Sequence, residues 1–273
     1  MLDYGKHNIL GINVNAIDYE AAVDRVLTAA KDGTPFSVTA LAVHGVMTGV
    51  LDQEHLYRLN QFDLVCPDGQ PVRWALNRLH QNQFDGPPLS DRVYGPDLTL
   101  KICQAAAKGK VPIYLFGATE EMLDQFAERL GDQFDGLTIA GRRGSAFRQI
   151  TAEERDELAE EIIASGAKIC FVGLGCPRQE VFAYEMRDRL GMPLIAVGAA
   201  FAFHAGMLEQ APAWMQKRGL EWLFRLTREP GRLWKRYVYL NPAYVSLLCL
   251  QRLGLYPRSN RKAKAPKEEL IFG

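Results

Sequence analysis

Short apolar runs rich in β-branched and aromatic residues recur at residues 36–41, 111–116, 137–140, 167–172 and 193–197. Each has the length of a strand buried on both faces, where hydrophobicity is continuous instead of alternating. Between them lie segments whose apolar residues return every three or four positions: 19–30, 46–60, 96–107, 120–130, 152–164 and 178–190. Strand and helix signals in alternation predict an α/β fold with a mainly parallel sheet wrapped by helices. The punctuation agrees. Asp18 precedes one helix, Thr119 caps another ahead of Glu120 and Glu121, and Thr151-Ala-Glu-Glu154 is a capping box.

After Gly206 the pattern changes to a helical, aromatic and basic segment with a break near Glu229-Pro230. Trp214, Trp222, Phe224, Trp234, Tyr237, Tyr239 and Tyr244 are interleaved there with Lys217, Arg218, Arg225, Arg228, Arg232, Lys235 and Arg236. The expected organisation is an α/β core over 1–206, a helical appendage over 207–256 and a basic, disordered tail over 257–273.

Charge sharpens this division. The chain of 273 residues has 32 Lys+Arg and 32 Asp+Glu, a formal net charge of zero that points to neither nucleic acid nor membrane. That zero is a cancellation: residues 1–210 carry 19 Lys+Arg against 28 Asp+Glu, and residues 211–273 carry 13 against 4. An acidic body is joined to a basic end. The N-terminus has no basic stretch followed by an apolar run, so no signal peptide is expected, and no apolar stretch approaches the roughly 20 residues of a spanning helix. Five scattered cysteines in mostly apolar settings read as reduced core residues.

In an open α/β sheet ligands bind beyond the carboxyl ends of the strands, so candidate chemistry is sought there. Val65-Cys-Pro-Asp-Gly69 places Asp68 at a strand end, where a carboxylate can serve as a general base; a lone Asp-Gly is more often turn chemistry. In Ser90-Asp-Arg-Val-Tyr-Gly-Pro-Asp97, Arg92 is a phosphate partner or a surface cation, and Asp97 a first-turn helix charge. Phe171-Val-Gly-Leu-Gly-Cys-Pro-Arg-Gln-Glu180 runs from a strand through a glycine turn into a helix start suited to an anion, with Gln179 and Glu180 in the first turn. Val197-Gly-Ala-Ala-Phe-Ala-Phe-His-Ala-Gly206 allows close backbone approach; His204, among apolar neighbours, reads better as a satisfied structural histidine, and His44 warrants the same reading.

Absences narrow the field. The dinucleotide fingerprint and the Walker A loop are missing, which argues against an epimerase, a dehydrogenase or an ATP site. No Asp-x-Asp, His-Glu-x-x-His or Cys-x-x-Cys motif signals a metal, and no Gly-x-Ser-x-Gly elbow signals a serine hydrolase. From the residues alone, a catalytic protein and a non-catalytic, membrane-recruited nucleotide-sugar-binding module both remain open.

In order along the chain, Thr39, Pro67-Asp68-Gly69, Arg92-Val-x-Gly-x-Asp97-Leu98, Gly175-x-Pro-x-Gln-Glu180, Gly198-x-x-Phe-x-x-x-Ala-Gly206 and Glu221-Trp222-Leu223-x-Arg225 with Glu229-Pro230 resemble the WecG/TagA/CpsF glycosyltransferase family over about residues 8–240. The resemblance implies a Rossmann-like core with a C-terminal helical appendage. It also implies an inverting, metal-independent bacterial enzyme, without a cofactor, that moves a hexose from a UDP-sugar to a polyprenyl-diphosphate-linked sugar. Such an enzyme belongs in exopolysaccharide or other cell-surface polysaccharide synthesis, peripheral on the inner face of the cytoplasmic membrane. By the same resemblance Asp68 is the base, Thr39, Arg92 and Gln179 contact the substrates, and Arg218, Arg225 and Arg228 meet the leaving diphosphate. Spacings of seven and three place those three arginines on one helical face. Membrane docking of the appendage would complete the site and compete with self-association into a homo-oligomer. One position departs from the pattern: the family often has Thr-x-Asn, and this chain has Thr39-Ala-Leu41, leaving His44, one helical turn on, as the candidate replacement.

Overall fold

The computed structural model describes residues 1–256 and 263–273, the side chains of Arg232 and Arg236 excepted. The chain opens with an antiparallel hairpin of β1 (Asp3–Ile9) and β2 (Ile12–Ile17), followed by α1 (Tyr19–Asp32) and the first core strand, β3 (Phe36–Leu41). Next come α2 (Val43–Leu51), α3 (Gln53–Gln61), β4 (Leu64–Pro67), α4 (Gln70–His80) and α5 (Gly95–Gly109). The remainder of the core is β5 (Ile113–Gly117), α6 (Glu120–Gln133), β6 (Ile139–Arg143), α7 (Ala152–Ala164), β7 (Ile169–Gly173), α8 (Arg178–Leu190), β8 (Pro193–Ala196) and α9 (Gly198–His204).

Strands β3 to β8 form one parallel sheet in the order β4-β3-β8-β7-β5-β6. Helices cover both faces, giving two apolar cores. One is built around Val26, Leu98, Ile102, Phe126 and Phe201, the other around Leu59, Phe62, Leu76, Phe116 and Phe182. This is the expected Rossmann-like α/β architecture. After β3 the chain adds β4 on one side and then crosses to build the rest on the other, so the strand order reverses beside β3 and β8. Ligand crevices open at such a reversal.

Two local expectations fail for physical reasons. The single helix expected over 46–60 is two, because the Asp52 side chain turns inward to accept the Glu54 and His55 N–H groups (2.9 and 3.0 Å) and caps a new helix. The N-terminal hairpin escapes the pattern because β1 is mostly polar and only its last residue, Ile9, is fully buried.

The C-terminal part is helical: α10 (Ala213–Lys217), α11 (Glu221–Arg228) and α12 (Pro230–Arg252). It does not stand apart as one unit. The second half of α12 lies on the core: Tyr244 is 2% exposed, and the buried Gln251 exchanges hydrogen bonds of 2.9 Å with the Leu10 N–H and the Asn8 carbonyl of the hairpin. Trp234, Val238 and Tyr239 on its first half, with Trp214 and Trp222, are exposed. No helix among the described residues is long and apolar enough to cross a membrane.

The disordered tail expected over 257–273 lies partly outside the described residues, which omit 257–262. Residues 263–273 are placed against the core instead. Ile271 is buried, the Ile150 N–H donates to its carbonyl and the Gly273 N–H to the Arg148 carbonyl (both 3.1 Å), and Arg155 pairs with Glu269 at 2.6 Å. A closing Leu-Ile-Phe triplet supplies apolar area that the basic composition upstream obscures.

Candidate active site

The carboxyl ends of β3, β4, β7 and β8 converge on one crevice, and most of the expected residues meet there. Asp68 immediately follows β4. Its N–H donates to the Leu41 carbonyl at the end of β3 (3.2 Å), and Gly69 takes φ +88° to turn the chain into α4. The side chain is half-buried, and its carboxyl is pushed up to about 7. Burial is the main cause; nearby Arg92 opposes it, Glu221 adds to it, and Arg225 and the Gly95 N–H at the start of α5 oppose it again. Both protonation states of Asp68 are therefore populated at neutral pH.

Arg92 is brought to Asp68 by the backbone, since the Val93 N–H donates to the Pro67 carbonyl at 3.0 Å. Its buried guanidinium lies 3.9 Å over the Tyr94 ring, pairs with Glu221 at 2.7 Å and donates to Gln216 at 2.9 Å. Arg92, expected as a substrate contact or a surface cation, is thus the joint between the core and helices α10 and α11. Its pKa is raised, because the charges of Asp68 and Glu221 outweigh burial.

Thr39, fully buried on β3, donates to Glu180 Oε1 (3.1 Å), and the Gln179 amide donates to the same oxygen at 2.9 Å. Gln179 Oε1 in turn accepts the N–H groups of Gly175 and Gly198 at 3.1 and 2.8 Å. This staple joins the turn after β7 to the start of α9. It needs glycine on both sides: Gly175 has φ +76°, and a Cβ on Gly198 would stand 2.9 Å from the Gly175 nitrogen. Burial raises the pKa of Glu180.

The three appendage arginines part company. Arg225 on α11 faces the crevice, its guanidinium 6.0 Å over the Phe203 ring and 3.8 Å from Glu229. Arg228 is exposed and pairs with Glu209 at 2.5 Å, and Arg218 is exposed against Trp214. The single helical face expected for them does not form. Arg218 follows α10, and a turn at Gly219 (φ +69°) separates it from α11; a Cβ there would come 2.8 Å from the Trp74 ring.

The remaining candidates lie at helix starts and in packed surroundings. Asp97 sits in the first turn of α5, 3.4 Å from the Tyr19 hydroxyl. His204 shares a 2.9 Å hydrogen bond with the Pro96 carbonyl, stacks on Phe126, and has its pKa lowered by burial. His44 lies half-buried in the first turn of α2. Leu41, where the family often has Asn, is buried, and its side chain packs so closely on Gly45 that a Cβ there would come 2.5 Å from it. The role-bearing residues that sequence reasoning passes over are Gln216, Glu221 and Tyr94. Glu221 stands within a quoted motif, yet nothing local says that its carboxylate reaches a loop 129 positions earlier.

A half-buried carboxyl titrating near neutrality, beside two guanidinium groups at the open edge of a parallel sheet, can accept a proton while positive charge stabilises an anionic leaving group. The chain matches the family described as Glycosyl transferase WecG/TagA/CpsF family over residues 7–258. It is 26% identical over 264 residues to the N-acetylglucosaminyldiphosphoundecaprenol N-acetyl-beta-D-mannosaminyltransferase of Bacillus subtilis (strain 168), covering 96% of this chain and 95% of the relative. It is 27% identical over 213 residues to the protein of the same name from Bacillus spizizenii, covering 78% of each. The protein therefore belongs to the WecG/TagA/CpsF family and is a glycosyltransferase.

Proposed function

We propose that the protein transfers a hexose of the N-acetylmannosamine class from its UDP-activated form to N-acetylglucosamine carried on a polyprenyl diphosphate, with inversion and with no metal at the leaving diphosphate. The relatives' named reaction supports the class of the transferred sugar and of the acceptor. The observation that carries the mechanism is Asp68, whose carboxyl burial pushes up to about 7 against the opposing pull of Arg92 and Arg225.

In this reading the acceptor hydroxyl oxygen attacks the anomeric carbon while the bond from that carbon to the diphosphate oxygen breaks. Asp68 takes the hydroxyl proton, and the electron pair departs with UDP. A base with a pKa near the working pH is both ionised often enough and basic enough for this transfer. Arg225 and Arg92 offer forked, permanently charged donors to the departing diphosphate, the service that a divalent ion provides elsewhere. Thr39 and Gln179 shape the floor of the crevice, and Arg218 and Arg228, exposed on the appendage, are available to an incoming phosphate.

The acceptor is a lipid, so the protein must reach a membrane. Exposed Trp214, Trp222, Trp234, Val238 and Tyr239 among the appendage's cations form a surface suited to the interfacial region of an anionic bilayer. This supports a peripheral position on the inner face of the cytoplasmic membrane, with the product entering a cell-surface polysaccharide. Self-association into a homo-oligomer would cover the same surface.

The test is transfer of radiolabelled sugar from a panel of UDP-sugars to a polyprenyl-diphosphate-linked N-acetylglucosamine, comparing wild type with Asp68→Asn. Equal turnover by the two proteins removes Asp68 from the role of base. A rate that depends on added Mg²⁺ or Mn²⁺ removes the metal-free mechanism.

A further inference from the structure

Beneath the crevice, three side chains from distant parts of the sequence meet: His55 on α3, Cys176 in the turn after β7 and Glu180 on α8. One potential ligand atom from each lies within 4.8 Å of the others. His55 is 2% exposed, yet neither of its ring nitrogens has a hydrogen-bond partner. Glu180 is 1% exposed; Thr39 and Gln179 both donate to its Oε1 and the Cys176 side chain also hydrogen-bonds to its carboxyl, while Oε2 is left without an ordinary hydrogen-bond partner. Each buried polar atom left in this condition costs on the order of 1–3 kcal/mol, so it calls for an explanation.

We propose that His55, Cys176 and Glu180 form a binding site for a zinc-class divalent transition-metal ion. Imidazole, thiolate and carboxylate together are the donor set of zinc and its neighbours, whereas magnesium and calcium take oxygen throughout. Thiolate and carboxylate each bring one negative charge and the imidazole none, so a divalent ion makes the cluster neutral, as burial demands. The hydrogen bonds from Thr39 and Gln179 to Oε1 are the outer support that a ligating carboxylate normally has. Zinc–ligand distances of about 2.0–2.3 Å put tetrahedral ligands roughly 3.3–3.8 Å apart, so closure asks for a contraction of about 1 Å. Cys176 is only half-buried, which leaves the ion a route in and a fourth position for water.

Such an ion would tie the turn after β7 to α3 and hold the Gln179 staple rigid. This inference goes beyond the reaction assigned above: the ion is a brace under the crevice floor and takes no part at the diphosphate. The three ligands stand at 55, 176 and 180, a spacing that matches no metal motif.

The test does not use turnover. Untagged, reduced, metal-stripped full-length chain is titrated anaerobically with Co²⁺. The expected result is one equivalent bound, with a thiolate-to-cobalt charge-transfer band in the near ultraviolet and the visible bands of a four-coordinate ion, both removed by Zn²⁺. Cys176→Ser should lose the charge-transfer band, and Cys249→Ser, at an exposed thiol, should keep it. Absence of the band in wild type, or its persistence in Cys176→Ser, overturns the site. Should Cys176→Ser fail to fold, thermal unfolding decides. Saturating Zn²⁺ should raise the wild-type midpoint by several degrees, reversibly on chelation, and should not do so for His55→Gln. A wild-type midpoint indifferent to Zn²⁺ also overturns it.

Discussion

The core edge and the appendage both place groups at the crevice, by different means. Thr39, Asp68 and Gln179 stand on strand ends and first helical turns, fixed by hydrogen bonds to backbone groups such as that from the Asp68 N–H to the Leu41 carbonyl and that from the Gly198 N–H to Gln179 Oε1. Glu221 and Gln216 are held chiefly by one guanidinium, Arg92, and α11 has no fully buried residue. Positions set by a packed sheet are rigid, whereas positions set by charge pairs can be competed for by an anionic substrate. The difference teaches that the proposed base belongs to the scaffold, and that the charge around it depends on how the appendage is docked.

The largest expected effect breaks the core side. Asp68→Asn should lower the transfer rate by about 10²–10⁴-fold and leave the fold intact. Its stability effect has a definite sign. The folded carboxyl titrates near 7 and the unfolded one near 3.8, so between those values the folded state binds more protons and stability falls as pH rises. The uncharged Asn escapes that loss, so at pH 8 its thermal midpoint should not lie below that of wild type. A lower midpoint at pH 8 would show that the carboxylate is structurally favourable and the reading of Asp68 wrong.

Next comes the joint. Arg92→Ala leaves Glu221 enclosed without its partner, a loss of about 3–5 kcal/mol for a buried pair. It should free α10 and α11 to limited proteolysis while the core remains resistant. An unchanged digestion pattern would mean that contacts other than Arg92 hold them.

The two halves of α12 provide a third test. Tyr244→Ala should cost about 3–5 kcal/mol of stability, as for a large buried aromatic. Tyr239→Ala, at a residue 66% exposed, should change stability by about 0.5 kcal/mol or less and weaken co-sedimentation with anionic liposomes. Equal liposome binding by wild type and Tyr239→Ala would move the membrane contact elsewhere.

The smallest effect is the most diagnostic of coupling. Glu221 raises the pKa of Asp68, so Glu221→Gln should move the acid limb of the rate profile to lower pH by less than about one unit. A shift to higher pH would mean that loosening Arg92 dominates over removal of the charge.

Much of the core was legible in the sequence because its signals are local. The β3 run at 36–41 is a short stretch of mostly apolar and β-branched residues after the Thr34-Pro35 break, and α7 over 152–164 and α8 over 178–190 start and stop where caps and periodicity say. Asp68 and Gln179 were also legible, since a strand end followed by Gly or by a glycine turn marks a crevice wall. The failures involve contacts between distant residues. The three arginines lie at helical spacing, and only the turn at Gly219 shows that the helix they imply is interrupted. The basic character of the final stretch hid Ile271, whose partner Ile150 lies 121 positions away.

By itself, then, the sequence determined the alternation of strands and helices, the strand-end position of Asp68 and the segregation of charge, because periodicity, capping and composition act within a few residues. Only the tertiary structure decided that Arg92 ties Glu221 and Gln216 to the core, that one of three appendage arginines faces Asp68, and that His55, Cys176 and Glu180 share a buried space. Those outcomes depend on which surfaces meet once the sheet is wound, and no spacing along the chain encodes a distance across it.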